Sequence, residues 1–207
     1  MKEKFRGKYR IESARMPNWD YGWRGYYFVT ICTKGRACYF GEIVDKQMIL
    51  SEMGEVAKSE WLKSPKIRPD MNIALDEYII MPNHIHGIIQ IGKNEYNKFD
   101  DEIIVDHTCG TCCRGAMHGA PTTGTTNKLN GPNPIKMEKS GPQRKNLSSI
   151  IRGFKSAVTT HARMINSDFV WQSRFHDHVI RDNRSLNNIR QYIRYNPWNW
   201  EGDKLHS

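Results

Sequence analysis

The first twenty positions carry no apolar repeat: Lys2, Lys4, Arg6, Lys8 and Arg10 fall at alternate positions before the aromatic residues Trp19, Tyr21 and Trp23. From Gly25 the pattern changes, and GYYFVTICTK is dense in aromatic and β-branched residues, the composition of a buried strand at a sheet centre. ACYFGEI and QMILSE predict two short strands around Val44, Asp45 and Lys46. A helix follows from about Ser51, with Val56, Trp61 and Leu62 on its apolar face and with Pro65 and Pro69 closing it. In NIALDEYIIMPNHIHGIIQI two apolar runs flank the turn-forming pair Pro82-Asn83, which predicts a hairpin of two strands.

After Gly92 the periodicity stops. Residues 93 to about 145 are rich in Gly, Thr, Asn, Pro and Lys and offer few large apolar side chains to bury, so they read as a flexible low-complexity insertion. Helical spacing returns with Leu147, Ile150, Ile151, Phe154, Val158 and Ile165, while Arg152 and Lys155 face elsewhere. RFHDHVIR predicts a short strand, and Asp182 is placed to cap a last helix through Leu186, Ile189 and Ile193 that ends at Asn196-Pro197. Strands outnumber helices and do not alternate with them regularly, which points to an α+β fold, an antiparallel sheet covered by helices. The expected division is a basic arm over 1–20, one domain over 21–92 and 146–200, the insertion over 93–145, and a tail over 201–207.

With 207 residues the chain can build one such domain. Its formal charge of +9 favours a polyanionic partner, nucleic acid before a membrane surface. No apolar run reaches the ~18 residues of a membrane span, and MKEKFRGKYRIESARM lacks the apolar core of a signal peptide, so a cytoplasmic location is expected. Cys109, Cys112 and Cys113 crowd together in an odd set of 5 cysteines, which is not a disulfide framework. With His107 or His118 they have the donor types for zinc. They lack a second paired motif and read as a reduced linker.

Chemistry concentrates in three places. His84-Ile85-His86 starts a strand, so both imidazoles point to one face with Cα atoms about 7 Å apart, while Ile85 points into the apolar layer. Such rings can converge on one metal. His176-Asp177-His178 has the same spacing, but its charged centre suits a sheet edge, with phosphate contacts or support of the main pair as its roles. Tyr192 and Asn196 stand four apart on the last helix, hence on one face; read without other information, they are an amphipathic tyrosine and a helix C-cap.

The strings RMPNWDY, MPNHIHGII, WQSRFHDHVIRD and QYIRYNP, in this order, resemble the single-tyrosine HUH transposases, in particular the REP-associated tyrosine transposase branch (IS200-like). The resemblance implies a ferredoxin-like HUH-endonuclease fold in which His84 and His86 are metal ligands, Tyr192 is the nucleophile and Asn196 is the third ligand. Insertion-sequence members usually carry Gln four residues after the tyrosine; the shorter Asn196 is closer to the REP-associated branch. Tyr195, three residues on, is the competing nucleophile, and the motif aligns Tyr192 instead.

These residue types suit the implied reaction. A tyrosine with a pKa of about 10 is a weak nucleophile at neutral pH and needs a cation at the phosphate. Two imidazoles and an amide oxygen accept Mg²⁺ or Mn²⁺ alike. The expectation is a transposase that nicks and rejoins single-stranded DNA beside a hairpin, as monomer or homodimer. Arg15, Arg24, Arg152, Lys155, Arg174 and His178 are the candidate DNA contacts, and Trp19 and Trp23 are available to stack on unpaired bases. The competing expectation is a non-catalytic DNA-binding regulator on the same fold. A replication or conjugation nickase is disfavoured by the lack of an attached helicase or accessory domain.

Overall fold

Alternation along two adjacent strands organises the molecule. In the computed structural model, residues 19–97, 144–203 and 205 are described. Arg15, the rest of the basic arm, and the Cys109–Cys113 cluster with His107 and His118 lie outside them. The elements are β1 (Gly25–Cys32), β2 (Gly41–Val44), β3 (Gln47–Leu50), α1 (Glu52–Ile67), β4 (Ile73–Ile80), β5 (His84–Ile91), α2 (Leu147–Ile165), β6 (His176–Ile180) and α3 (Asn183–Tyr195). A 3-10 turn, Pro197–Gly202, continues from α3.

Four strands form an antiparallel sheet in the order β4-β5-β1-β6, so β1 and β5 are central. Their alternate residues divide between two layers. Tyr27, Val29, Ile31, Ile85, Ile89 and Ile91 join the core with Ala57 and Trp61 of α1 and Ile150, Phe154 and Val158 of α2. Phe28 and Ile88 face the other way and pack with Ile180, Leu186, Ile189 and Ile193 under α3. Burial of each large aliphatic side chain contributes about 1.5–3 kcal/mol, so the sheet is fixed from both sides and its register cannot slip without exposing one set. Gly87 is required by this packing, because a Cβ there would lie 2.3 Å from the Trp61 ring.

The helices start where their caps dictate. Ser51 accepts from Gly54 N–H, Asn146 forms a capping box with Ser149, and Asp182 accepts from Ser185 N–H. Two expectations need correction. Residues 37–40 do not extend β2, which pairs with β3 only over Gly41–Val44, through a turn whose Asp45 and Lys46 both have positive φ. Pro65 does not end α1; it sits inside its last turn, and the chain leaves the helix at Arg68. Among the described residues no helix is long and apolar enough to cross a membrane.

Candidate active site

His84 begins β5 immediately after the Pro82-Asn83 turn, and strand alternation turns both histidines toward α3 while Ile85 enters the opposite core at 0% exposure. The rings lie 4.5 Å apart between centroids and are almost fully buried. Each is oriented through Nδ1. Asn83 Oδ1 lies 2.7 Å from His84 Nδ1, and since a carbonyl oxygen can only accept, His84 carries its proton on Nδ1 and offers a lone pair at Nε2. Thr30 Oγ1 holds His86 Nδ1 at 2.9 Å across the β1–β5 pair, where Thr30 is opposite His86.

The last helix and the turn after it close the site. Tyr192 Oη lies 3.1 Å from His86 Nε2 of its own chain, and the Tyr192 ring meets Phe28 edge-on. Asn196, the C-cap of α3, is buried; its Nδ2 donates to Asp203 Oδ2 at 3.3 Å. Asp203 in turn lies 4.0 Å from His84 Nε2, and the Leu205 carbonyl accepts from Asn83 Nδ2. Residues 201–207, expected to be a plain tail, therefore contribute Asp203 and Leu205 to the site.

Burial sets the charge state. It pushes the His84 imidazole down to about 4 against the opposing pull of Asp203, and it holds His86 well below the usual histidine range, helped by His84 and His176. Both rings are neutral at pH 7 and can donate lone pairs. The Tyr192 hydroxyl is shifted the other way: burial and the Asp203 carboxylate raise it, and the Asn196 hydrogen bond opposes them. The protein groups alone therefore keep this phenol protonated.

Ligand atoms of His84, His86 and Asp203 all lie within 4.8 Å of one another, a donor set that fits a divalent metal ion. Two buried atoms support this fit. Among the described residues, His84 Nε2 and Asn196 Oδ1 have no hydrogen-bond partner, a costly state unless something else meets them. Asn83 and Thr30 supply the outer hydrogen bonds that metal-binding imidazoles normally make.

An open cleft of about 670 Å³ lies over Tyr192 and His86, with Arg36, Gln172, Arg174 and His176 on its walls. Of the expected DNA contacts among the described residues, only Arg174 lines it. Lys155 instead donates to the carbonyls of Gln172 and Arg174, at 2.7 and 3.1 Å, and pins the segment that carries Arg174; burial pushes its ammonium down to about 8. His178 is exposed on β6 opposite Phe28. Trp19 packs against the core and donates to Tyr27 Oη, with Trp23 edge-on to it, so its ring is not a free stacking surface. Arg152 is exposed on α2, across the sheet from the cleft. Arg24 precedes β1, six residues from Thr30, about 20 Å along an extended strand.

Thr30, Asn83 and Asp203 were not among the expected site residues. Thr30 had a visible signal, a hydroxyl inside an apolar run, and Asn83 directly precedes the motif. Asp203 had none, since it lies beyond the helix-ending Pro197 in a segment without periodicity.

No family model matches the chain. An uncharacterized protein of Haemophilus influenzae (strain ATCC 51907 / DSM 11121 / KW20 / Rd) is 34% identical over 201 residues, which span 97% of this chain and 95% of that protein. Among solved structures, a REP-associated tyrosine transposase bound to a REP hairpin matches with a TM-score of 0.51 at 16% identity, over 91% of this chain and 73% of the other. That likeness establishes a shared fold.

Proposed function

The chain belongs to one family with the uncharacterized Haemophilus influenzae protein, and we propose that it is a metal-dependent transposase that cleaves and rejoins single-stranded DNA beside a hairpin, with Tyr192 as nucleophile. The observation that carries this reading is the 3.1 Å contact between Tyr192 Oη and His86 Nε2 within one chain, beside two buried atoms that lack partners among the described residues. Nucleophile and ligand set share one space.

His84 and His86 would hold a Mg²⁺ or Mn²⁺ ion, with Asn196 Oδ1 and Asp203 as the remaining protein donors. Bound there, a divalent ion polarises the scissile phosphate, offsets its charge and favours the phenolate. Asn83 and Thr30 fix the two rings, so their lone pairs need no reorganisation. Tyr192 Oη attacks phosphorus, the bond from phosphorus to the 3′-oxygen breaks, and the products are a 5′-phosphotyrosine and a free 3′-OH. The phenol proton passes to solvent, and the leaving oxygen takes one from water. Because the phosphoester persists, a 3′-OH can reverse the step and rejoin strands. Hairpin DNA as the substrate class is supported by the fold-sharing transposase, which binds a REP hairpin.

Incubating the chain with Mn²⁺ or Mg²⁺ and labelled hairpins carrying single-stranded flanks should give an adduct that survives denaturing electrophoresis. Tyr192→Phe is expected to abolish it while leaving hairpin affinity within about twofold. Adduct formation by that variant would sink the assignment of Tyr192. Tight hairpin binding by the wild type with no adduct under either metal would favour a non-catalytic regulator.

A further inference from the structure

Asp76 and Glu77 are consecutive residues in β4, which in a regular strand would send their side chains to opposite faces. The ladder is not regular there. Leu75 pairs with Ile89 and Tyr78 with Gly87, so Asp76 and Glu77 together stand opposite Ile88 alone. This extra residue is a β-bulge, a device that re-aims side chains. Both carboxylates consequently reach α3. Arg190 binds Asp76 through two parallel bonds, Nε to Oδ1 at 2.8 Å and Nη2 to Oδ2 at 2.6 Å, and Arg194 Nη2 donates to Glu77 Oε2 at 2.7 Å.

Arg190 and Arg194 are four apart, so they share one side of α3 and bracket Tyr192 along its axis. A single exposed ion pair holds little. This one differs, because the Asp76 carboxylate is only 18% exposed, its bonding is bidentate, and the second pair lies one turn on. Apart from the contacts of its hydroxyl with His86 and Asn196, Tyr192 has few restraints: its ring is half-exposed and leans on Phe28 and His86. The location of its hydroxyl over His86 therefore depends mainly on the location of the helix, whose C-cap also carries Asn196.

We propose that Asp76 and Glu77 are positioning residues that clamp the tyrosine helix through Arg190 and Arg194, so that Tyr192 is held over His86 of its own chain. The link to catalysis rests on the transferase reading above; the clamp itself does not.

Two measurements on the full chain test it: amide hydrogen exchange, which needs neither metal nor DNA, and the single-turnover adduct rate at saturating hairpin. Asp76→Arg is expected to speed exchange across residues 187–195 at least tenfold with α2 and β5 unchanged, in the manner of a local opening. It is expected to slow the adduct step by about a hundredfold, the scale of a ~1 Å misplacement, with hairpin affinity within threefold. Adding Arg190→Asp should restore both within threefold. Should Asp76→Arg fail to fold, Asp76→Asn with Glu77→Gln is read in the same way with smaller effects, about tenfold in rate. Wild-type exchange in α3 of the variants, or a charge swap that restores neither quantity, overturns the clamp. A wild type that makes no adduct defeats the transferase reading instead, and exchange still decides the clamp.

Discussion

His84 and His86 have been stripped of water and left with their Nε2 lone pairs facing a common space, and this has a measurable consequence in the metal-free protein. An unfolded histidine takes a proton near pH 6.5, whereas folded His84 resists until about pH 4 and His86 is shifted in the same direction. Between those values the unfolded chain binds more protons, so stability is full above pH 6.5 and drains away as pH falls toward 4. For His84 the shift corresponds to about 3 kcal/mol. Urea midpoints of metal-free protein at pH 7.5 and 4.5 should differ, and replacing both histidines with Gln should flatten the difference. An equally steep fall in that variant would locate the pH sensitivity elsewhere. Asp203 makes a second test at this scale. If its carboxylate completes the donor set, Asp203→Asn should weaken Mn²⁺ binding by about 10- to 100-fold in calorimetry. Unchanged affinity would leave the ion to the histidines and Asn196.

At the scale of elements, the site depends on β5 lying flat against α1 on one face while its histidines use the other. Gly87 links the two. A methyl group there would meet Trp61 at 2.3 Å, against a ring that is itself fully buried, so Gly87→Ala should destabilise the fold by about 1–3 kcal/mol in chemical denaturation. Wild-type stability would mean that Trp61 can turn aside. The strands that carry this geometry were legible in the sequence because apolar residues on both faces, bounded by Pro82-Asn83, leave few alternatives to a central hairpin. The caps at Ser51 and Asp182 were legible for a similar reason, since a short polar side chain before an apolar helical repeat has a specific use. Pro65 misled, because a proline in the last turn forfeits only one backbone donor where the helix is about to end. The bulge at Asp76-Glu77 and the return of Asp203 to the histidines were invisible. The contacts that give them a role, Asp76 with Arg190 and Asp203 with His84, join segments more than a hundred residues apart, and no local pattern encodes them.

Over the whole molecule, the +9 charge is a statement about partners, and the fold decides which of those cations can act at the cleft. Arg174 stands on the cleft wall, whereas Arg24 and Arg152 are exposed elsewhere and Lys155 is spent on backbone carbonyls. The two kinds of residue should therefore differ in how they respond to salt. Each phosphate neutralised by the protein releases condensed counterions, so log affinity for a hairpin with a single-stranded flank should fall linearly with log salt concentration. Arg174→Ala is expected to reduce that slope by about 1 and weaken all sequences alike. Lys155→Met acts differently. It frees the segment that carries Arg174 without removing a phosphate contact, so affinity should drop while the slope stays near the wild-type value. A slope that Arg174→Ala leaves untouched would take this residue off the phosphate path and assign the electrostatic footprint to Arg36 and the remaining basic residues.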